Sequence, residues 1–354
     1  MNREALNRGR QPRGMQIRRL ARVALVSVAL LVISVEPGQT VTCTATGFFR
    51  DSINMTAALI NPPGTVSGTV DATGCNVAIY YDHNGAGGTV KGADLFGANY
   101  FGVLVNGDGG AVSVDILNSN IHDIGETPLN GSQHGVAIYY RGFFAVSAVS
   151  GKVSGNTLTN YQKGGIVANG QGVQINISGN NVVGQGPVLY IAQNGIQVGY
   201  GATAQVMRND VSGNSYVGFP GDGSASGGVL VVGGPGYGVC PDGLDCPYTV
   251  NTKVNDNVLT GNDVGVFLSN LDAPPYYLAP ADATNIKVVN NKITNAVCFN
   301  TSYEAAVSDV GNNDKIITNT VAGYASCPTV YNPLSNSIDA DTSFTNRPKV
   351  HATK

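Results

Sequence analysis

The sequence predicts an all-β chain folded as a single-stranded parallel β-helix, a solenoid, and three observations predict it. A short aliphatic strand pattern recurs about every thirty residues along most of the chain, the signature of stacked structural repeats. A second column, β-branched-x-x-Asn-x-aliphatic, recurs in step with the first. Glycine supplies 47 of the 354 residues and only 12% are charged, which suits short strands joined by many turns.

Aligned on the aliphatic residue after a glycine or asparagine, the first column holds Val77-Ala-Ile-Tyr-Tyr-Asp82, Val103-Leu-Val-Asn-Gly-Asp108, Val136-Ala-Ile-Tyr-Tyr-Arg141 and Ile166-Val-Ala-Asn-Gly-Gln171. Ile196-Gln-Val198, Val229-Leu-Val231 and Val266-Phe-Leu268 continue it. The second column holds Val153/Asn156/Leu158, Ile177/Asn180/Val182, Val206/Asn209/Val211, Val254/Asn257/Leu259, Val288/Asn291/Ile293 and Ile316/Asn319/Val321, with Ser119 in the asparagine's place at Ile116/Ile121. Apolar residues two apart turn one face of each strand inward, and no run has the length or spacing of a helix. A unit of about thirty residues cannot bury its apolar face alone, so successive coils must stack, each strand pairing with its copy. The asparagine column then marks a corner. Asparagine tolerates the left-handed backbone, and its amide can bond to the asparagine one coil above.

The ends differ from the repeat. Arg8, Arg10, Arg13, Arg18, Arg19 and Arg22 precede an apolar run at residues 23–35 that is too short for an ordinary membrane span, so residues 1–38 read as a secretory leader or an uncleaved anchor. The protein is expected to be secreted and extracellular, with a membrane as partner only if that segment stays attached. Residues 39–65 lack the repeat and are expected to cap the open sheet edge, residues 66–330 to form the β-helix, and residues 331–354 to form a polar tail or cap. Residues 233–248 and 272–280 read as loops leaving the stack.

Six cysteines, an even number, agree with an oxidising compartment. Cys240 and Cys246 flank a short loop, while Cys298 with Cys327 and Cys43 with Cys75 lie about one coil apart. No C-x-x-C or histidine spacing accompanies them, so a metal site built on the cysteines is the weaker reading. A net charge of −3 with no basic footprint argues against nucleic acid as a partner.

Chemistry concentrates in the early coils. The outward residues of the first column read Tyr80 and Asp82, Asn106 and Asp108, Tyr139 and Arg141, then Asn169 and Gln171. Coils about 4.8 Å apart would gather them on one solvent-facing strip, with His83 beside Asp82 and His134 just before the strand of Arg141. Read as a site, Tyr80, Asp82, His83, Tyr139 and Arg141 are the candidate catalytic group, and Asn106, Asp108, His134 and Asn169 the candidate substrate contacts. Tyrosine rings stack on sugars, carboxylates hold a hydroxyl or a cation, and Arg141 pairs with a uronate carboxylate. Read as structure alone, Asp108 and Arg141 neutralise each other across adjacent coils. His122-Asp123 reads as a solvated turn.

With these repeats the chain resembles the right-handed parallel β-helix proteins that include pectate lyases, polygalacturonases, alginate lyases and mannuronan epimerases. The resemblance covers about residues 66–327 and rests on the coil repeats, which specify fold rather than activity. The Asn-Thr-Asp, Asp-Asp and Gly-His-Gly set of polygalacturonases is absent, as is the arginine-rich motif of pectate lyases. Tyr81-Asp82-His83 is similar to the Tyr, Asp and His set of alginate epimerases, without the surrounding motif.

Two classes of function follow. One is a lyase or epimerase on uronate-containing polysaccharide, with a tyrosine or histidine abstracting the proton beside the carboxylate and Arg141, or a divalent cation as cofactor, stabilising the developing charge. The other is a non-catalytic surface or binding protein whose long sheet is a scaffold.

Overall fold

The structure, a computed structural model, describes residues 32–35, 41–218, 223–275, 278–325 and 327. The expected C-terminal tail, and the expected leader apart from residues 32–35, lie outside the described residues. Each central coil contributes three strands, as in Val136–Arg141, Ala148–Ser154 and Thr157–Tyr161, followed by Gly164–Asn169, Val173–Ser178 and Asn181–Val188. The first strand of every coil joins a ten-stranded sheet, and the other two join a seventeen-stranded sheet that bends at the asparagine corner. The coil-to-coil pairings are parallel, and an antiparallel hairpin, Thr44–Arg50 with Ile53–Ile60, stands at one edge of the ten-stranded sheet. This is an all-β, solenoid-like architecture with the strands in sequential order.

One inward column explains the core. Ile79, Val103, Ile138, Ile166, Ile196, Val229, Val266 and Val307 stand in register on successive coils, all fully buried. Each contributes roughly 1.5–3 kcal/mol by leaving water, and only the neighbouring coil makes that burial complete.

The register differs from the sequence alignment by two residues: Val77 pairs with Phe101, and Gly164 pairs with Val136. Side chains alternate with period two, so a slip of two leaves inward and outward sets unchanged. It does move Asp108 and Gln171 past their strand ends into turns.

The asparagine ladder is present and continuous. Nδ2 of Asn156 donates to Oδ1 of Asn180, and the bond repeats from Asn180 to Asn209, Asn257, Asn291 and Asn319 at 2.9–3.0 Å. The same oxygens accept the backbone N–H of the preceding asparagine, and the second amide hydrogen reaches a carbonyl, as from Asn209 to Ile177. The left-handed backbone expected at these asparagines belongs instead to the residue before each: Asn118, Gly155, Gly179, Arg208, Asp256, Asn290 and Thr318. That residue turns the chain, and the turn aims the next side chain inward, where it is buried.

Three disulfides, Cys43–Cys75, Cys240–Cys246 and Cys298–Cys327, join the expected pairs. The first ties the hairpin to the first coil. The hairpin then arches over the outward face of the ten-stranded sheet, where Met55 packs fully buried in a cluster with Tyr80, Phe101, Leu104, Tyr139 and Val167. The strip expected to face solvent is therefore roofed. Tyr80, Asp82, Asn106, Tyr139, Arg141 and Asn169 are each at most 8% exposed, because the outward residues of these coils are apolar enough to hold a lid.

Candidate functional site: a roofed groove on the ten-stranded sheet

Two clefts open beside the roof and share Phe48, Phe49, Arg141 and Pro241. The larger, about 540 Å³, lies between the hairpin tip and the loop closed by Cys240–Cys246. Its walls are Phe48, Phe49, Phe143, Tyr200 and Tyr237, its floor is Tyr139, Val167, Asn169 and Gln197, and its cations are Arg50, Arg141 and Lys163. The smaller, about 450 Å³, holds Tyr80, Asp82, His83, Asn106 and Asp108 with Arg141.

The hairpin tip is positioned by its own chemistry. The Arg50 guanidinium lies over the Phe101 ring at 5.4 Å and donates to the Gln133 carbonyl at 3.0 Å, which draws the hairpin across to the third coil. Phe48 and Phe143 then flank the Arg141 guanidinium, at 4.7 and 5.3 Å from their ring centres. On the far wall Tyr237 bonds to Ser269 Oγ at 2.6 Å and meets Tyr200 edge to face. Burial pushes the Tyr200 phenol up to about 12 and raises that of Tyr237, so both face the groove neutral.

Arg141 is not a free cation. Its Nη1 pairs with Asp108 and also reaches Asn106 Oδ1 at 3.3 Å. Asp108 takes a further bond from the Phe143 N–H at 3.0 Å, so its turn closes against the next coil. The neutralising pair foreseen between adjacent coils exists, and it is buried.

The other expected residues are placed as follows. Asp82 accepts from Asn61 Nδ2 at 2.7 Å and from the Asn84 N–H at 2.9 Å. Tyr80 accepts from Asn106 Nδ2 at 3.1 Å, and burial pushes its phenol up to about 12. His83 is exposed on the turn after its strand, its ring so close to Gly109 that a side chain added there would clash with it. Tyr139 lies beside Phe101, ring centres 5.4 Å apart, and Asn169 accepts from Gln197 Nε2 at 3.0 Å. His134 does not join them. It sits before its strand starts, whereas Arg141 ends that strand, roughly 20 Å away at strand rise. There it stacks on Tyr100 at 3.9 Å and bonds to Glu126 Oε1 at 2.6 Å.

Lys163 was not among the expected residues. Half-buried at the groove, it gives its Nζ to the Ala192 carbonyl at 2.7 Å, and burial lowers its ammonium to about 8. No described carboxylate pairs with it. The signal in the sequence is faint: a lone lysine one residue before a strand otherwise flanked by glycine and polar uncharged residues.

Among the described residues one group of three potential metal ligands draws together, Cys298, Glu304 and Cys327. Both sulfurs are spent on the disulfide, which leaves no thiolate to bind. No described helix is long and apolar enough to cross a membrane. No protein-family model matches the chain, and no curated protein or solved structure is significantly similar to it.

Proposed function

We propose that the chain is a secreted, right-handed parallel β-helix that binds acidic polysaccharide, of the uronate type, in the roofed groove. One observation carries the reading: of the three cations lining the groove, Arg50 is paired with Asp51 and Arg141 with Asp108, while Lys163 has no carboxylate partner among the described residues and no aspartate or glutamate lines the groove, in a protein whose net charge is −3. The rings of Phe48, Tyr200 and Tyr237 offer faces on which sugars stack, and the amides of Asn169 and Gln197 offer partners for hydroxyls. In this reading Lys163, the lining cation with no carboxylate partner among the described residues, meets the uronate carboxylate.

Binding is favoured over cleavage. Eliminating a uronate linkage needs a base poised near neutral pH at the carbon beside the carboxylate. Tyr80 is pushed to about 12 and lies under the hairpin, His134 is engaged by Glu126 and lines neither cleft, and His83 stands on an exposed turn of the smaller cleft, apart from the larger cleft that holds Lys163. Calorimetric titration with polygalacturonate, alginate and a neutral glucan tests the reading, with ultraviolet absorbance followed on the same mixtures. Binding of the two uronate polymers without the neutral one, and without absorbing product, is the expected result. Equal binding of the glucan removes the charge argument, and a steady rise in absorbance makes the protein a lyase.

A further inference from the structure

The other face of the molecule carries an arrangement that stability alone does not favour. Lys253, Lys287 and Lys315 stand directly in register on three successive coils of the seventeen-stranded sheet. Between them and Lys152 the same row is filled by Gln205 and Asn176, so six consecutive coils present Lys, Asn, Gln, Lys, Lys and Lys. The residues after these three lysines, Val254, Val288 and Ile316, point inward, which turns the row outward.

Like charges directly opposite one another on a sheet destabilise it. Asp256, exposed at the corner after Lys253, forms no ion pair with these lysines among the described residues. None of the three lysines has an ion-pair partner among the described residues, and the flanking columns are Asn251, Asn285 and Asn313 on one side and Asn255, Val289 and Ile317 on the other. Asp314 precedes Lys315, but its carboxylate turns inward to accept from Thr284 Oγ1 and the Ile286 N–H. At the other end of the row the sheet hollows into a trough of about 600 Å³ that includes Lys152, Asn176, Gln205 and Lys253, with Asp115 at its far end accepting the Lys152 N–H at 2.9 Å.

We propose that this row is a second binding site, for a linear acidic polysaccharide laid along the stacking axis. Coils repeat about every 4.8 Å, close to the advance of one pyranose with its glycosidic bond, so the acids on the side of the polymer that faces the sheet recur at a whole number of coils. The amides of Asn176 and Gln205 match hydroxyls. Duplex DNA, with a phosphate about every 3.4 Å along each strand, drifts out of phase within a few coils. The site shares its ligand class with the groove but lies on the other sheet and stands without it.

The test is the triple variant Lys253→Gln, Lys287→Gln, Lys315→Gln in the full chain, with Lys91→Gln, an exposed lysine outside the row, as control. Affinity for long polygalacturonate at low salt should fall about tenfold or more, and its salt dependence should become shallower. The control should match wild type. The melting temperature should hold or rise, since repulsion is relieved, which a structural role for these lysines does not predict. Lys287→Gln alone should show a smaller loss in the same direction and serves if the triple variant folds poorly. Free galacturonate carries a single carboxylate and cannot bridge neighbouring lysines, so its binding reports on the groove and should be unchanged in the triple variant. Failure of wild type to bind free galacturonate counts against the groove and leaves the row to stand or fall on the polymer. Unchanged polymer affinity in the variants overturns the proposal, as does equal or tighter wild-type binding of single-stranded DNA or of phosphatidylserine vesicles.

Discussion

The asparagine corner and the groove are both built from buried polar side chains, and they differ in symmetry. At the corner every coil places the same residue in the same position, so the donors of one meet the acceptors of the next. At the groove the register runs Asp82, Asn106, Arg141, Asn169 and Gly199, a different residue on each coil. A repeat that keeps one polar residue is solving its own hydrogen bonding. A repeat that changes the residue coil by coil is answering something outside itself.

The largest effect should come from breaking the symmetric region. Asn209→Ala removes bonds to Ile177, Asn180 and Asn257 and leaves the Asn180 N–H buried without an acceptor. Unpaired buried groups cost roughly 1–3 kcal/mol each, so a loss of about 4 kcal/mol in denaturant unfolding is expected. A loss below 1 kcal/mol would mean the ladder is a consequence of the fold and not a support of it.

Next comes the pair that closes the groove. Arg141→Met leaves the Asp108 carboxylate mostly buried without its cation, and a broken buried pair costs about 3 kcal/mol. Replacing both residues with apolar ones should recover much of that, and a double-mutant cycle reads the coupling. An exposed pair would cost no more than about 1 kcal/mol. The roof is what moves Arg141 from the second class to the first.

This contrast also explains what could be read from the sequence. The ladder was legible because Asn156 to Asn319 repeat in phase with flanking aliphatics, and in-phase repetition has one geometric meaning. The outward set was legible by parity, which survived a two-residue error in register. The roof was not: Phe48 meets Arg141 across most of a hundred residues, through a hairpin and a disulfide loop that occur once each. Lys163 stayed hidden for the same reason, since only the folded hairpin and loop make its surroundings a groove.

A third expectation concerns pH. The corner is neutral, whereas the last coils bury acids: burial pushes Glu304 up to about 7 and Asp263 to about 6, and raises Asp314, with the Asp309 charge adding to it. A raised carboxyl holds its proton in the folded state after the unfolded chain has released it. Stability from these groups is therefore full below about pH 4 and is lost as pH rises through 6 and 7. Melting temperature should fall by several degrees across that window, and Glu304→Gln should flatten the fall. A flat profile in wild type would mean that the last coils loosen to admit water around these groups.

The smallest effect on stability, and the most informative about the groove, belongs to Lys163. Its one bond is to the Ala192 carbonyl, so Lys163→Met should change unfolding by less than about 1 kcal/mol. Uronate binding should nevertheless weaken about tenfold or more, the worth of one charge-assisted hydrogen bond. The pH profile then separates charge from packing. Burial lowers the ammonium to about 8 in the free protein, so wild-type affinity for free galacturonate should decline as pH rises past that value. Lys163→Arg keeps its charge well above that pH, so binding that survives in this variant should lose the decline. If Lys163→Met binds like wild type, or if the decline persists in Lys163→Arg, the carboxylate is met by Arg50 or Arg141 and the groove's selectivity rests on the hairpin tip.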